Sequence, residues 1–260
     1  MSMSEHILVE RDDAMLWITI DRPAALNALN ALAHRELSAA LDSYAADSAL
    51  RVAVITGAGE RAFCVGSDLK ARSLANADDH PPTGFGGISH RFDLAKPVIA
   101  AVNGLALGGG VEIVAACDLA IAADHAEFGL PEPRVGLAAL GGGGLQRLAR
   151  HLPLKYAMEL VLTGRRFGAE EAMRIGLINE VVPRAELSAR VRKMAEAIIQ
   201  GAPLAVEASK QVMLQSLAMP DLKAALQARY PAAERMLASE DAREGQRAFV
   251  EKRKARWQGK

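Results

Sequence analysis

The sequence feature that most constrains the fold is an apolar run that stops at glycines and continues with helical spacing. Residues Val98 to Val102 are apolar and rich in β-branched side chains, as in a strand that is buried on both faces. Asn103 and Gly104 end this run, and after the glycines at 108, 109 and 110 the apolar residues recur at helical spacing as far as Cys117. The stretch therefore predicts a strand, a glycine turn and a helix in an α/β protein.

The three consecutive glycines predict that a ligand approaches the backbone closely. Glycine loses more backbone entropy on folding than any other residue, so three of them at a helix start need a reason. Bare backbone exposes the unpaired N–H groups of the first turn, where the helix dipole favours negative charge. Because Glu112 lies in the same turn, the stretch has the outline of an oxyanion hole beside an acid–base group. The alternative is structural, with glycines that allow tight packing and a glutamate that complements the dipole.

The balanced charge argues against a protein whose overall electrostatic field draws it to nucleic acid or to a membrane surface. The 260 residues include 31 basic and 31 acidic side chains, so the formal net charge is zero. The chain lacks the basic excess that would predict a nucleic acid partner, and it lacks the apolar run of about 18 residues that would predict a membrane span. The first residues lack the pattern of a secretory signal, so we predict a cytoplasmic protein. Cys64 and Cys117 both lie in apolar contexts that are typical of buried free thiols.

A second apolar strand, Val52 to Thr56, also ends at glycines. Here Gly57, Gly59 and Ala62 match a loose dinucleotide-binding fingerprint. That interpretation needs a helix directly after the glycines and an acidic residue at the end of the next strand. Neither is present, since Gly66 interrupts the helix and polar loop composition follows. We therefore predict no nicotinamide site, and we interpret the two strand–glycine–helix stretches as stacked units of similar build.

The remainder of the chain divides into a loop and a helical region. The segment from Ala71 to His90 is polar and contains prolines and glycines, which is typical of a mobile surface loop. From about residue 155 the sequence predicts helices separated by short turns, including a long one from Asp221 to about Ala238. We predict a core of residues 1–200 and a C-terminal helical region of residues 201–260 that serves as a lid or an assembly surface.

Six segments of the sequence occur in an order that is specific to one family. They are Arg22-Pro23 with residues 26–29, and residues 63–70, 96–104, 108–112, 128–132 and 160–164. In these segments the chain resembles the crotonase, or enoyl-CoA hydratase/isomerase, family over nearly its whole length. Glycines near residues 84–87 and the segment from Ser239 to Gly245 are most similar to the carnitinyl-CoA dehydratase type. The resemblance implies an α/β spiral of ββα units with a helical C-terminal region, assembled as a homotrimer or a dimer of trimers.

The resemblance also implies an active site made of two backbone amides and two carboxylates. The amides of Ser67 and Gly109 would form an oxyanion hole for the thioester carbonyl oxygen of an acyl-CoA substrate. Glu112 and Glu132 fall on the two catalytic carboxylates of the hydratases. The residues implied to contact coenzyme A are Ala24, Ala25, Leu26, Ser67, Asp68, Leu69, Lys70 and Gly109. Lys70 is alternatively a solvated surface lysine. The resemblance implies neither a metal nor a cofactor other than the coenzyme A of the substrate.

Retention of both carboxylates favours the addition or elimination of water. Hydration of a 2-enoyl-CoA builds a thioester enolate, whose negative charge falls on the carbonyl oxygen. One carboxylate takes a proton from water and the other delivers one to the α-carbon, and we assign these roles to Glu112 and Glu132 respectively. The predicted function is an enoyl-CoA hydratase, which in reverse is a 3-hydroxyacyl-CoA dehydratase. The alternatives are a carnitinyl-CoA dehydratase, a double-bond isomerase and a non-catalytic acyl-CoA-binding protein.

Three departures from the usual hydratase pattern concern the pocket. Ser67 stands where the hydratases usually carry alanine, and Pro133 stiffens the backbone directly after Glu132. The run from Leu140 to Gly144 is one residue longer than usual. These departures leave the chain length and the β-substituent of the substrate open.

Overall fold

The computed structural model describes residues 4–71 and 80–260, and their strands form two sheets. The strands are β1 (Ile7–Asp12), β2 (Met15–Ile20), β3 (Val52–Gly57), β4 (Ala62–Cys64), β5 (Val98–Val102), β6 (Leu105–Leu107), β7 (Leu119–Ala123), β8 (Glu127–Gly129), β9 (Arg166–Gly168) and β10 (Glu180–Val182). The larger sheet has the order β1-β2-β3-β5-β7-β10, and the smaller has the order β4-β6-β8-β9. Apart from the antiparallel pairs β1–β2 and β8–β9, neighbouring strands are parallel.

Helices cover the sheets and make up most of the C-terminal region. They are α1 (Ala31–Ala46), α2 (Gly109–Ala116), α3 (Gly144–His151), α4 (Leu154–Thr163), α5 (Ala169–Arg174), α6 (Leu187–Ile199), α7 (Pro203–Ser216), α8 (Leu222–Gln227), α9 (Pro231–Ala238) and α10 (Glu240–Val250). Residues 69–71 are also helical. The prediction of one long helix from Asp221 to Ala238 is wrong. Pro231 has no amide hydrogen to continue a helix, so it begins a separate one after a break at residues 228–230.

Successive strand pairs form the repeating unit of the fold. The first strand of each pair, β3, β5 or β7, joins the larger sheet, and the next strand, β4, β6 or β8, joins the smaller one. α2 follows the pair β5–β6 and packs against both strands. This arrangement agrees with the predicted α/β spiral of ββα units. The sequence interpretation missed β6, because it assigned the residues between Gly104 and Gly108 to a turn.

β5 lies at the centre of the larger sheet, which is covered on both faces. All five of its residues are buried, as the apolar run predicts. On one face, α1 and α2 contribute Leu37, Leu41 and Ile113 to the main core. On the other face, Val191 of α6 packs in a second core cluster. The start of α2 is therefore attached to a rigid, fully buried strand.

Two buried asparagines fasten the turn between β3 and β4. The Asn103 side chain donates to the carbonyl oxygen of Gly57 at 2.8 Å and accepts the amide of the same residue at 3.1 Å. The Asn27 side chain donates to the carbonyl oxygens of Ala58 at 3.0 Å and Ala62 at 2.7 Å. Buried backbone groups need such partners, so these amides fix the path of the chain into β4.

The C-terminal helices are tied to the sheet by charged side chains. Lys210 of α7 pairs with Asp118 at 2.7 Å and donates to the carbonyl oxygen of Lys96 at 3.0 Å. Arg51 donates to the carbonyl oxygen of Gly201 at 2.7 Å. The division at residue 200, the lid or assembly role and the homotrimer or dimer of trimers stay predictions. Among the helices of the described residues, none has the length and apolar character needed to cross a membrane.

Candidate active site

The backbone amides of Ser67 and Gly109 lie near each other where β4 and β6 end. A Cβ atom on Gly66 would lie 3.1 Å from the Gly109 nitrogen, so the two segments touch. The Leu29 amide donates to the carbonyl oxygen of Gly66, and the Leu29 carbonyl oxygen accepts the amide of Asp68. In this parallel bridge the amide of Ser67 points away from Leu29. Gly109 is the first residue of α2, where an amide has no acceptor within the helix. In residues 4–71 and 80–260, neither amide donates a backbone hydrogen bond.

Close contacts require the three glycines at the start of α2. Gly108 has φ +54°, and a Cβ atom there would lie 2.8 Å from Oε1 of Glu132. A Cβ atom on Gly109 would overlap the Phe85 ring, and one on Gly110 would overlap the carbonyl oxygen of Cys64. Tight packing therefore accounts for part of the glycine requirement, and the approach of Glu132 accounts for another part.

Glu112 is a buried carboxylate that the start of α3 holds in place. It is 3% exposed, and its Oε1 accepts the amide of Gly144 at 2.8 Å. Cβ atoms on Gly142 or Gly144 would lie within 3.0 Å of its side chain, so this second glycine run shapes the space around it. Burial raises the pKa of Glu112, and the amides of Gly144 and Gly142 and the charge of Arg147 oppose that rise.

Glu132 lies in a short 3₁₀ turn, Glu132–Val135, shortly after β8. Its Oε1 faces Gly108, and its Oε2 is buried without a hydrogen-bond partner in the described part of the chain. Burial raises the pKa of this carboxyl, and the negative charge of Glu112 raises it further. The two carboxylates therefore interact, and only Glu112 has donors from α3 and a nearby cation.

Three aromatic rings that the sequence interpretation did not select border this site. The ring centroids of His34 and Phe85 are 4.6 Å apart, as are those of His34 and His80. A Cβ atom on Gly141 would lie 3.7 Å from His80 and 4.0 Å from Oε2 of Glu112, so the cluster reaches the carboxylate. Burial, together with the charge of His80, lowers the pKa of His34 to about 3. His34 is therefore a neutral wall residue at physiological pH.

The segment that contributes Phe85 is part of the core. Residues 84–89 are buried, and the amide of Gly86 donates to Nδ1 of His34 at 3.0 Å. The prediction of a mobile surface loop from Ala71 to His90 is therefore wrong for residues 84–89, while residues 72–79 lie outside the described residues. The signal that could have found this segment is the pair of apolar residues, Phe85 and Ile88, among its glycines.

The two segments implied to contact coenzyme A lie side by side. Arg22 forms an ion pair with Asp68 at 2.9 Å and donates to the carbonyl oxygen of Ala28, which joins residues 22–29 to residues 66–68. Within these segments Ala24, Leu69 and Lys70 are exposed, and Ala25, Leu26, Ser67 and Asp68 are partly buried. Their contact with coenzyme A stays a prediction.

Neither metal clusters nor a bridge between the cysteines occurs in the described residues. No group of three or more histidine, cysteine, aspartate or glutamate side chains in this part of the chain could hold a metal ion. Cys64 is a buried free thiol and Cys117 is a half-buried one, much as their apolar contexts predict. Burial raises the pKa of Cys64 to about 12, so we assign this thiol no chemistry.

Comparisons with known proteins identify the class to which this fold and site belong. The family model for enoyl-CoA hydratase/isomerase matches residues 10–260. Carnitinyl-CoA dehydratases from Escherichia coli K12 and Salmonella arizonae are 43% and 44% identical to the chain, each over 99% of it and 100% of the relative. The crystal structure of an enoyl-CoA hydratase from Mycobacterium marinum has a TM-score of 0.92 at 41% identity, covering 98% of this chain and 99% of that one.

The chain belongs to the enoyl-CoA hydratase/isomerase family. An enoyl-CoA hydratase from Mycobacterium tuberculosis gives a similar match, with a TM-score of 0.91 and 40% identity over 98% of this chain and 99% of that one. The predicted family, the similarity to the carnitinyl-CoA dehydratase type and the α/β fold class are confirmed. The predicted class of enzyme, a carbon–oxygen lyase, is confirmed at the level of the family.

Proposed function

We propose that this protein is an enoyl-CoA hydratase, which adds water reversibly to a 2-enoyl-CoA. The observation that carries this proposal is the interacting pair of the buried Glu112 and the partly buried Glu132, beside the Gly109 amide that begins α2. In the proposed complex the thioester carbonyl oxygen accepts hydrogen bonds from the amides of Ser67 and Gly109. Each such donor is worth about 2.7 to 4 kcal/mol to a developing oxyanion.

In the hydration direction the two carboxylates act on neighbouring carbon atoms. Glu112, in its ionised form, takes a proton from water as the water oxygen bonds to the β-carbon of the substrate. The electrons of the double bond move into the thioester enolate, and the carboxylic acid of Glu132 then donates its proton to the α-carbon. The cycle ends with Glu112 protonated and Glu132 ionised, and a proton transfer to Glu132 restores the starting state. Dehydration is the reverse of these steps.

A second candidate substrate is carnitinyl-CoA, because relatives named carnitinyl-CoA dehydratase share 43% to 44% identity with the whole chain. The chemistry is the same elimination of water, and only the β-substituent differs, since it carries a trimethylammonium group. A panel that compares crotonyl-CoA with crotonobetainyl-CoA by kcat/KM distinguishes the two. A ratio above about tenfold in favour of either substrate assigns the preference.

The proposed reaction is tested with purified protein, crotonyl-CoA and ¹⁸O-labelled water. We expect the absorbance of the conjugated thioester to fall and the product to carry one ¹⁸O atom at the β-carbon. A double-bond isomerase would give an unlabelled product, because its reaction adds no water. Binding of acyl-CoA without turnover of any enoyl-CoA on the panel would contradict the proposal and favour a non-catalytic binding protein.

The pH dependence of hydration is expected to be bell-shaped, with both limbs above the ordinary range of a glutamate. Activity is lost as pH falls through the pKa of the base Glu112, and it is lost as pH rises through the pKa of the acid Glu132. Burial raises both values, so the acid limb of kcat/KM lies above about pH 4.3. Because the two carboxyl groups interact, the two limbs report apparent pKa values that belong to the pair and not to either residue alone. A rate that is constant down to about pH 4, with the fold intact by circular dichroism, would contradict this prediction.

A further inference from the structure

Arg147 lies in the first turns of α3, the helix that holds Glu112. The first residue of α3, Gly144, donates its amide to Glu112, and Arg147 follows three residues later. The Arg147 side chain is half-buried, and its guanidinium donates to the carbonyl oxygen of Ser89 at 2.6 Å. One side chain therefore links the start of α3 to the buried segment of residues 84–89.

That buried segment carries the ring that packs on the oxyanion amide. The amide of Ser89 donates to the carbonyl oxygen of Phe85 at 3.2 Å, so the two residues belong to one turn. The Phe85 ring occupies the space beside Gly109 where a Cβ atom would otherwise lie. Through its bond to Ser89, Arg147 thus connects the start of α3, which binds Glu112, with the turn whose Phe85 ring packs beside Gly109.

Arg147 is also the cation whose charge acts on Glu112. That charge opposes the effect of burial on the pKa of Glu112, whereas burial and the like charge of Glu112 raise the pKa of Glu132 against its own backbone amide. Cys117 and Asp118 also interact electrostatically with Arg147, and Lys210 pairs with Asp118. The neighbouring titratable groups around the site are His80, beside Gly141, and His151, whose pKa burial and the charges of Arg147 and Arg150 lower.

We propose that Arg147 is a positioning residue, which holds the start of α3 against residues 84–89 and so fixes the Gly144 amide that binds the Glu112 carboxylate. The role of Glu112 as the base rests on the proposed function, whereas the link between α3 and residues 84–89 does not. Arg147 touches neither the carboxylate nor the substrate in this proposal. It acts through Gly144, through Ser89 and through its charge.

The test compares Arg147→Gln, which removes the charge, with Arg147→Lys, which keeps it. For Arg147→Gln we expect kcat for crotonyl-CoA to fall about tenfold or more and the acid limb of the pH profile to move up by about one unit. For Arg147→Lys we expect the acid limb to return toward the wild-type position, since the charge is kept. The matched control is Arg150→Gln on the next turn, where the exposed side chain donates to the carbonyl oxygen of Gln146. The control should leave the acid limb unchanged.

A second measurement keeps the inference testable if no enoyl-CoA is turned over. Titration of ¹³C-labelled glutamate carboxyl groups by NMR, assigned with Glu112→Gln, gives the pKa of Glu112 directly in each variant. An increase in Arg147→Gln that Arg147→Lys reverses supports the proposal. A lower thermal midpoint without any change in the Glu112 titration would mean a purely structural role and would overturn it. An inert wild type with the expected titration would overturn the proposed function alone.

Discussion

Glu112→Gln is expected to lower kcat for crotonyl-CoA by a factor of about 10² to 10⁴, with little change in KM. Glutamine has the size of glutamate, and its carbonyl oxygen accepts the Gly144 amide that Oε1 accepts in the wild type. The variant therefore keeps the support from α3 but has no group that takes a proton from water. Glu132→Gln should lose a similar factor, because an amide does not deliver a proton to the α-carbon. Steady-state kinetics at several pH values, with thermal unfolding as a check of folding, measures both effects.

Exchange of the α-proton distinguishes the roles of the two glutamates. In ²H₂O, the exchange at the α-carbon of a saturated acyl-CoA such as butyryl-CoA needs the oxyanion hole and the group that faces the α-carbon. It does not need the group that activates water. We expect Glu112→Gln to retain this exchange and Glu132→Gln to lose it. The opposite result would reverse the assignment of base and acid, and variants as fast as the wild type in hydration would contradict both roles. Glu127→Gln, which changes a partly exposed glutamate at the start of β8, is the matched control.

Gly109→Ala is expected to lower kcat by about 10² to 10³, because the added Cβ atom would overlap the Phe85 ring. Either the ring or the start of α2 must move, and a small displacement of the amide removes its alignment with the thioester oxygen. Steady-state kinetics with crotonyl-CoA measures the loss. The control is Gly168→Ala, since a Cβ atom on Gly168 would have no heavy atom within 4 Å and that residue has negative φ.

Combining Gly109→Ala with Phe85→Ala tests the cause of this loss. Phe85→Ala makes room for the new methyl group, so the double variant should be more active than the product of the two single effects predicts. Strict additivity would mean that the ring is not what displaces the amide. A Gly109→Ala variant that loses stability but keeps kcat would favour the purely structural explanation of the glycines.

The sequence is most informative where one short stretch carries its own signal. The β-branched apolar run predicts β5, the helical spacing after the glycines predicts α2, and Glu112 falls in the first turn of that helix by position alone. β6 is different, because three residues carry too little periodicity and the strand is stabilised by β4 and β8, which are distant in sequence. Its existence depends on tertiary pairing that local patterns do not encode.

Parts of the candidate site depend in the same way on contacts between distant segments. The burial of Phe85 depends on the absence of a side chain at Gly109, and the bond from Arg147 to Ser89 has no local signature in the sequence. By contrast, the glycine run before α3 has the same form as the run before α2, and the backbone there likewise lies close to a carboxylate. That group is Glu112. The break before α9 could also have been predicted from the sequence, since Pro231 lies inside the predicted helix.

The stretch between Glu132 and α3 has a consequence for engineering. Its two ends are fixed, one by the contact of Glu132 with Gly108 and the other by the bond from Gly144 to Glu112. Between them residues 133–138 are exposed, and Gly136 is to be kept because its φ of +74° would strain any other residue. Insertions and randomised codons at the other positions of this stretch should therefore be tolerated without displacing Glu112 or Glu132. A combinatorial library is best built there, because exposed loops tolerate diversity that α2 and β5 do not.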